Sequence, residues 1–170
     1  ANRIARLGIS RTFQLVRTLP TMTVAENIAA GGVFGYRRYW GNELDRRIKY
    51  MLSHVGLADK AAMPVAALTY IDQKRVELAR ALMADPKVLL LDEWLAGLNP
   101  SEMKIGINLV SGLRYEGRTI IIVEHHMDAI RSLCDRCVVM NSGAKIAEGK
   151  PDVVLNEPEV IRAYLGEDNA

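Results

Sequence analysis

Cysteine is scarce, with only Cys134 and Cys137 among 170 residues, too few for the disulfide framework that staples small secreted domains. An excess of one charge is also missing. Twenty-two Lys+Arg face 20 Asp+Glu, a formal net charge of +2, so charge alone selects neither nucleic acid nor an anionic membrane as partner. No apolar run approaches the roughly 20 residues of a membrane helix. The longest, such as Val88–Leu91 and Ile120–Val123, have the length of strands. No internal repeat or low-complexity segment interrupts the chain, and no signal peptide is evident, which predicts a reducing, cytosolic setting. Hydrophobic residues at 49%, charged at 25% and aromatic at 6% describe an ordinary globular protein of one domain. Function must therefore be read from motifs.

The first seventy residues predict a small helical unit. Thr12–Val16 has the β-branched and aromatic content of a short strand with Gln14 entering the following loop, and Thr23-Val24-Ala25-Glu26 is a capping box opening a helix. Gly31, Gly32 and Gly35, followed by Tyr36–Trp40, read as an irregular, solvated connector. Ile48, Met51, Leu52 and Val55 then share one helical face, closed by Gly56.

From about Asp72 the rhythm becomes helix, strand, helix, strand. Val76, Ala79, Leu82 and Met83 line a helix that Asp85-Pro86 stops, and Val88–Leu91 is a wholly apolar run of the kind found in buried parallel strands. Asn99-Pro100 supplies an N-cap with proline in the first helical position, Ile105, Leu109 and Leu113 follow, and Thr119–Val123 reads as another buried strand. A strand from Cys137 to Met140 turns through Asn141-Ser142-Gly143 into Lys145–Ala147 as a hairpin, and a helix carrying Val160, Ile161, Tyr164 and Leu165 ends the chain. Cys134-Asp135-Arg136-Cys137 has redox spacing, but at a helix-to-strand junction it reads as two small core residues.

The sharpest chemical signal is Asp92-Glu93 after Val88–Leu91, two carboxylates delivered at the carboxyl end of a buried strand, where open α/β sheets bind ligands. One carboxylate there can hold Mg²⁺ while the next orients an attacking water. A solvated strand end bearing two charges is the competing reading, and the surrounding order of residues decides between them. Gln14, then Leu68-Thr69-Tyr70-Ile71-Asp72-Gln73, then Val88–Glu93, then Ala96-Gly97-Leu98-Asn99, then His125 resembles the glutamine loop, signature, Walker B strand, D-loop and switch histidine of ABC transporter nucleotide-binding domains. Ile4–Gln14, Met22–Asn27, Ala96–Pro100 and Val160–Gly166 are similar to the ATP-binding subunits of branched-chain amino acid importers in particular.

The resemblance implies an α/β fold of the P-loop NTPase type, a mainly parallel sheet flanked by helices. It implies one partial ATPase domain over residues 1–170, with a helical subdomain at about 24–84 and catalytic-core portions at about 1–23 and 85–170. It implies ATP and Mg²⁺ as cofactors. Gln14 would sense Mg²⁺ and the membrane subunits, Asp92 would support Mg²⁺, Glu93 would act as general base and His125 would meet the γ-phosphate. Thr69, Ile71, Asp72 and Gln73 of the signature would meet ATP held by the opposite subunit of a head-to-tail dimer, and Gln14 and Asn99 join them as cofactor-binding residues. The implied partners are membrane-spanning permease subunits and a second ATP-binding subunit, with no nucleic acid and no insertion into the bilayer. The implied location is cytoplasmic and peripheral, on the inner face of the membrane.

The departures are as specific. No G-x-x-x-x-G-K-[ST] loop, whose amides and lysine cradle phosphates, occurs in the sequence. Ile71 stands at a signature glycine, Trp94 where the family has proline and His126 where it has aspartate. The expectation is therefore the later two-thirds of an importer ATPase, with little or no ATP hydrolysis by this polypeptide alone. The alternative is a non-catalytic interaction protein retaining that half of the fold.

Overall fold

A computed structural model describes residues 4, 7–34 and 37–165. Residues 5–6 of the amino-terminal match, Gly35 and Tyr36 of the connector, and Gly166 lie outside the described residues. The chain divides into two units, 1–123 and 124–170.

In the first unit, strands β1 (Ile9–Arg11), β2 (Val88–Asp92) and β3 (Thr119–Val123) form a parallel sheet in the order β1-β2-β3. Ile9 pairs with Val88 and Arg11 with Leu90, while Val88 pairs with Thr119 and Asp92 with Val123. The apolar run is thus the central strand, with Leu89 and Leu91 fully buried. Two expectations about the sheet need correction. The first strand ends before Thr12, and Thr12–Val16 is a loop, because the parallel ladder uses Ile9–Arg11. Strand β3 exists, but it is not buried. Among the described residues it has a neighbour on one side only, and its alternate residues Ile121 and Val123 remain exposed.

Helices α1 (Val24–Phe34), α2 (Gly41–His54) and α3 (Tyr70–Met83) pack on one another. The Thr23 capping box is formed: the Glu26 amide donates to Thr23 Oγ1, and Glu26 Oε2 accepts from the Thr23 amide at 2.8 Å. Those Thr23 bonds hold the Glu26 carboxyl below its ordinary pKa. Gly31 and Gly32 do not belong to a connector, as their spacing predicts, but to the last turn of α1. Gly31 lets two backbones approach: a Cβ there would overlap the Arg80 carbonyl oxygen of α3 and lie 2.9 Å from its carbonyl carbon, whereas a Cβ on Gly32 would meet the Met83 side chain at 2.7 Å. Tyr39, also assigned to that connector, is buried, with the Arg47 guanidinium 3.9 Å from its ring centroid. Met51, Leu52 and Val55 bury the inner face of α2, and Gly56 closes it at φ +69°. Val76, Ala79, Leu82 and Met83 do the same for α3. The carboxamide of fully buried Asn27 accepts from the Leu19 amide and donates to the Leu19 and Thr23 carbonyls, fastening the turn before α1.

Helix α4 (Pro100–Tyr115) begins at Asn99, whose Oδ1 accepts from the Ser101 and Glu102 amides at 3.0 Å each, with Glu102 completing a capping box. Asn99→Ala is expected to cost about 1 kcal/mol by leaving those amides without their cap, read as a lower denaturant midpoint at unchanged slope. The buried stripe of α4 is Gly106, Val110 and Leu113, whereas Ile105 is exposed. A strict four-residue spacing drifts off one face because the helix turns every 3.6 residues. Trp94 is fully buried against this stripe: a Cβ on Gly106 would come within 3.1 Å of its ring and 2.7 Å of Leu95.

In the second unit, α5 (Met127–Leu133) leads to the hairpin β4 (Cys137–Asn141) and β5 (Ala144–Gly149), then α6 (Pro151–Val154) and α7 (Pro158–Leu165). Val139, Ala147, Val154, Leu155 and Val160 form its core. Cys134 and Cys137 flank the helix-to-strand junction, form no disulfide and are half-buried. Burial pushes the Cys137 thiol pKa up. No helix among the described residues is long and apolar enough to cross a membrane.

Candidate active site at the end of the central strand

Two carboxylates leave β2 in different environments. Asp92, the last strand residue, accepts from Arg11 Nη2 at 2.6 Å. Arg11 ends β1 in register with Leu90, so the parallel ladder places its side chain on the face that Leu90 and Asp92 share. The pair is part-exposed, the guanidinium side chain at 54% and the carboxylate side chain at 30%, so water and ions reach it.

Glu93 adopts φ +43°, a conformation that carries roughly 1–3 kcal/mol of strain for a residue with a side chain. It is held there from both sides. Its amide donates to the Val123 carbonyl at 2.9 Å, and its own carbonyl accepts from the Ala96 amide at 3.0 Å. The left-handed turn swings the carboxylate off the strand, where Oε2 accepts from Gln14 Nε2 at 2.6 Å. The structure thus joins two residues that the sequence separates by 79 positions. Arg11 is the functional neighbour that spacing did not reveal, since only strand register brings it to Asp92.

The signature segment sits otherwise. Thr69 occupies the N-cap position of α3 without a side-chain cap bond and is exposed, while Tyr70, in the first turn, presses its ring against Gly97. Ile71 has helical backbone, so it needs none of glycine's freedom, and its side chain is buried. Asp72 is buried too, bound by Lys60 Nζ at 2.5 Å and Arg75 Nη1 at 3.0 Å. Gln73 donates to the Leu68 carbonyl at 3.1 Å. In this conformation both Asp72 oxygens and the Gln73 side-chain nitrogen are engaged within the fold, and Asn99 Oδ1 is spent on its helix cap. Burial, then the charge of Glu77, raises the Tyr70 phenol above its ordinary pKa. His125 belongs to the second unit, where it is exposed and its ring lies 4.4 Å from that of His126.

Hard carboxylate oxygens are the donors that Mg²⁺ prefers. The guanidinium on Asp92 shows that this oxygen already attracts a full positive charge, and its exposure makes it displaceable. Among the described residues no three acidic, His or Cys side chains gather to hold a metal by themselves. An ion at Asp92 would complete its shell with phosphate oxygens and water, the usual manner of Mg²⁺. The donor set therefore fits the cation. The glycine-rich loop for the phosphates is not in this sequence.

The ABC transporter family model matches residues 1–96, and that of the branched-chain amino acid ATP-binding cassette transporters matches residues 144–170. The chain is 40% identical to the high-affinity branched-chain amino acid transport ATP-binding protein LivG of Salmonella typhimurium, covering 97% of this chain and 70% of that one. It is 37% identical to BraF of Pseudomonas aeruginosa, a protein of the same description, over 98% and 71% respectively. Among solved structures, an ATP-binding cassette of an ABC transporter superposes with a TM-score of 0.84 at 31% identity, covering 96% of this chain and 71% of its own. CbiO1 from Clostridium perfringens, part of the ABC transporter complex cbiONQ, gives 0.78 at 32%, over 92% and 62%. A central parallel strand ending in Asp92-Glu93, a glutamine on the second of those carboxylates and these likenesses place the chain in the ABC transporter ATPase family, among the branched-chain amino acid type.

Proposed function

We propose that this chain supplies the carboxylate half of an ATP-hydrolysing site in an importer of branched-chain amino acids, with Glu93 as general base. The observation that carries this reading is the 2.6 Å contact between Gln14 Nε2 and Glu93 Oε2, on a residue whose backbone is held in a strained left-handed turn. A carboxylate merely ending a strand has no need of that turn. Mg²⁺ held at Asp92 would spread the negative charge of the transferring phosphoryl group. Glu93 accepts a proton from water, and Gln14 steers the carboxylate by its amide N–H. His125 is assigned to the γ-phosphate on its motif position, and the exposed Thr69 on the mouth of α3 to ATP held by a second ATP-binding subunit. Helices between 24 and 84 make up the helical subdomain, whose start is tied to its middle where Val24 N–H donates to the Met63 carbonyl and Val65 N–H to that of Met22. The partners follow from the same reading: a second cassette and membrane-spanning subunits, on whose cytoplasmic side this chain sits.

The test joins the phosphate-gripping segment of a LivG relative to the front of this chain. The fusion is expected to turn over Mg-ATP, and the 170-residue polypeptide alone to show no turnover that depends on Glu93. A fusion that binds nucleotide by equilibrium dialysis yet hydrolyses none would overturn the catalytic reading and leave a non-catalytic interaction module.

A further inference from the structure

Glu77 lies in the middle of α3, is 3% exposed and has no part in the chemistry described above. Burial raises its pKa, the cost of a carboxylate taken out of water. Its contacts lead to the loop after β1. Glu77 Oε1 accepts from the Arg17 amide at 3.2 Å. The Phe13 amide, on the other side of Gln14, gives the same carboxylate a weaker stabilisation, and the cations of Arg80 and Lys74 add theirs. Arg80, one helical turn further along α3, donates from Nη2 to the Arg17 carbonyl. Both polar groups of the Arg17 backbone are therefore held by side chains of one helix, 60 and 63 residues away.

The tether continues toward the site. The Arg17 guanidinium lies 4.4 Å from the Phe13 ring centroid, and that of Arg11 lies 5.3 Å from the same ring. Arg11 in turn holds Asp92, and Gln14, between Phe13 and Arg17, holds Glu93. We propose that Glu77 and Arg80 are positioning residues that clamp the Arg17 backbone and so aim Gln14 at Glu93 and Arg11 at Asp92. The helix that begins at the signature thereby sets the reach of the glutamine loop. The functional weight of this clamp rests on the proposed role of Gln14 and Glu93, whereas its physical test does not require nucleotide.

Amide hydrogen exchange at Arg17 and the side-chain NH₂ resonances of Gln14 are measured on the chain itself. In Glu77→Ala the Arg17 amide is expected to exchange roughly ten- to hundredfold faster, the span for losing a hydrogen bond to a charged acceptor, and the Gln14 side-chain resonances to move to free-amide positions. Glu77→Gln keeps an acceptor of the same shape and is expected to restore both signals. Loosening of Arg17 with Gln14 unmoved, no change at either, or failure of Glu77→Gln to rescue would overturn the proposal. If Glu77→Ala does not fold, Arg80→Ala removes the bond to the Arg17 carbonyl and the cation beside Glu77, and leaves Glu77 as acceptor for the Arg17 amide. Both signals are again expected to change in that variant, and a Gln14 that stays in place would overturn the clamp. Because neither signal depends on ATP, a loss of catalysis in the fusion and a loss of the clamp remain separate results.

Discussion

Glu93→Gln in the fusion bearing a phosphate-gripping segment is expected to lower Mg-ATP turnover by roughly 10²–10⁴-fold, the contribution of a positioned general base. Glutamine is nearly isosteric, so it tolerates the same φ +43° turn and leaves the amide bond to Val123 in place. What changes is the acceptor. The neutral side chain no longer takes a proton from water, though its carbonyl oxygen still accepts from Gln14. Nucleotide affinity, measured by dialysis, is expected to stay within a few-fold, because Asp92 and its Arg11 partner are untouched. Weakened binding with an unchanged rate per bound nucleotide would assign Glu93 to binding instead. At roughly 3–5 kcal/mol of barrier, this is the largest single effect expected of any side chain here.

Gly31→Ala is expected to destabilise the first unit by about 2–3 kcal/mol, at the upper end of overpacking costs. The added methyl meets backbone, the Arg80 carbonyl, and not the flexible end of a side chain. Helices α1 and α3 must therefore separate, and Arg80 carries one half of the clamp on Arg17. For a unit of this size the melting temperature is expected to fall by roughly 6–15 °C. Gly112→Ala is the matched control. It lies within α4, and a Cβ there meets nothing within 4 Å. Removing glycine's excess backbone entropy there is expected to raise stability by about 0.5–1 kcal/mol. Opposite signs from the same substitution would establish that close approach, and not helix propensity, decides at Gly31. Equal signs would refute it.

Much of the architecture was legible along the chain because its causes are local. The apolar run before Asp92, the Thr23 capping box and the Asn99-Pro100 helix start each declare themselves within four or five residues. Local pattern misleads where the deciding partner lies far away in the chain. Gly31 looks like a chain breaker until the Arg80 carbonyl explains it, and Gly32 until the Met83 and Leu44 side chains do. Ile121 and Val123 read as buried because they are apolar, yet among the described residues their strand has a partner on one side only. Ile71 and Asp72 sit in a signature, but Asp72 is enclosed by Lys60 and Arg75.

The order of motifs from Gln14 to His125, the absence of a phosphate-gripping glycine loop and the identity of the two carboxylates belong to the sequence alone. No folding is needed to see them. Which carboxylate meets Gln14 and which meets Arg11 was decided only by the tertiary structure. Those contacts span 79 and 81 residues and exist because a parallel register sets β1 beside β2. Side-chain periodicity assigns a residue to a face. The neighbour on that face is chosen by strand pairing and helix packing, which no local spacing encodes.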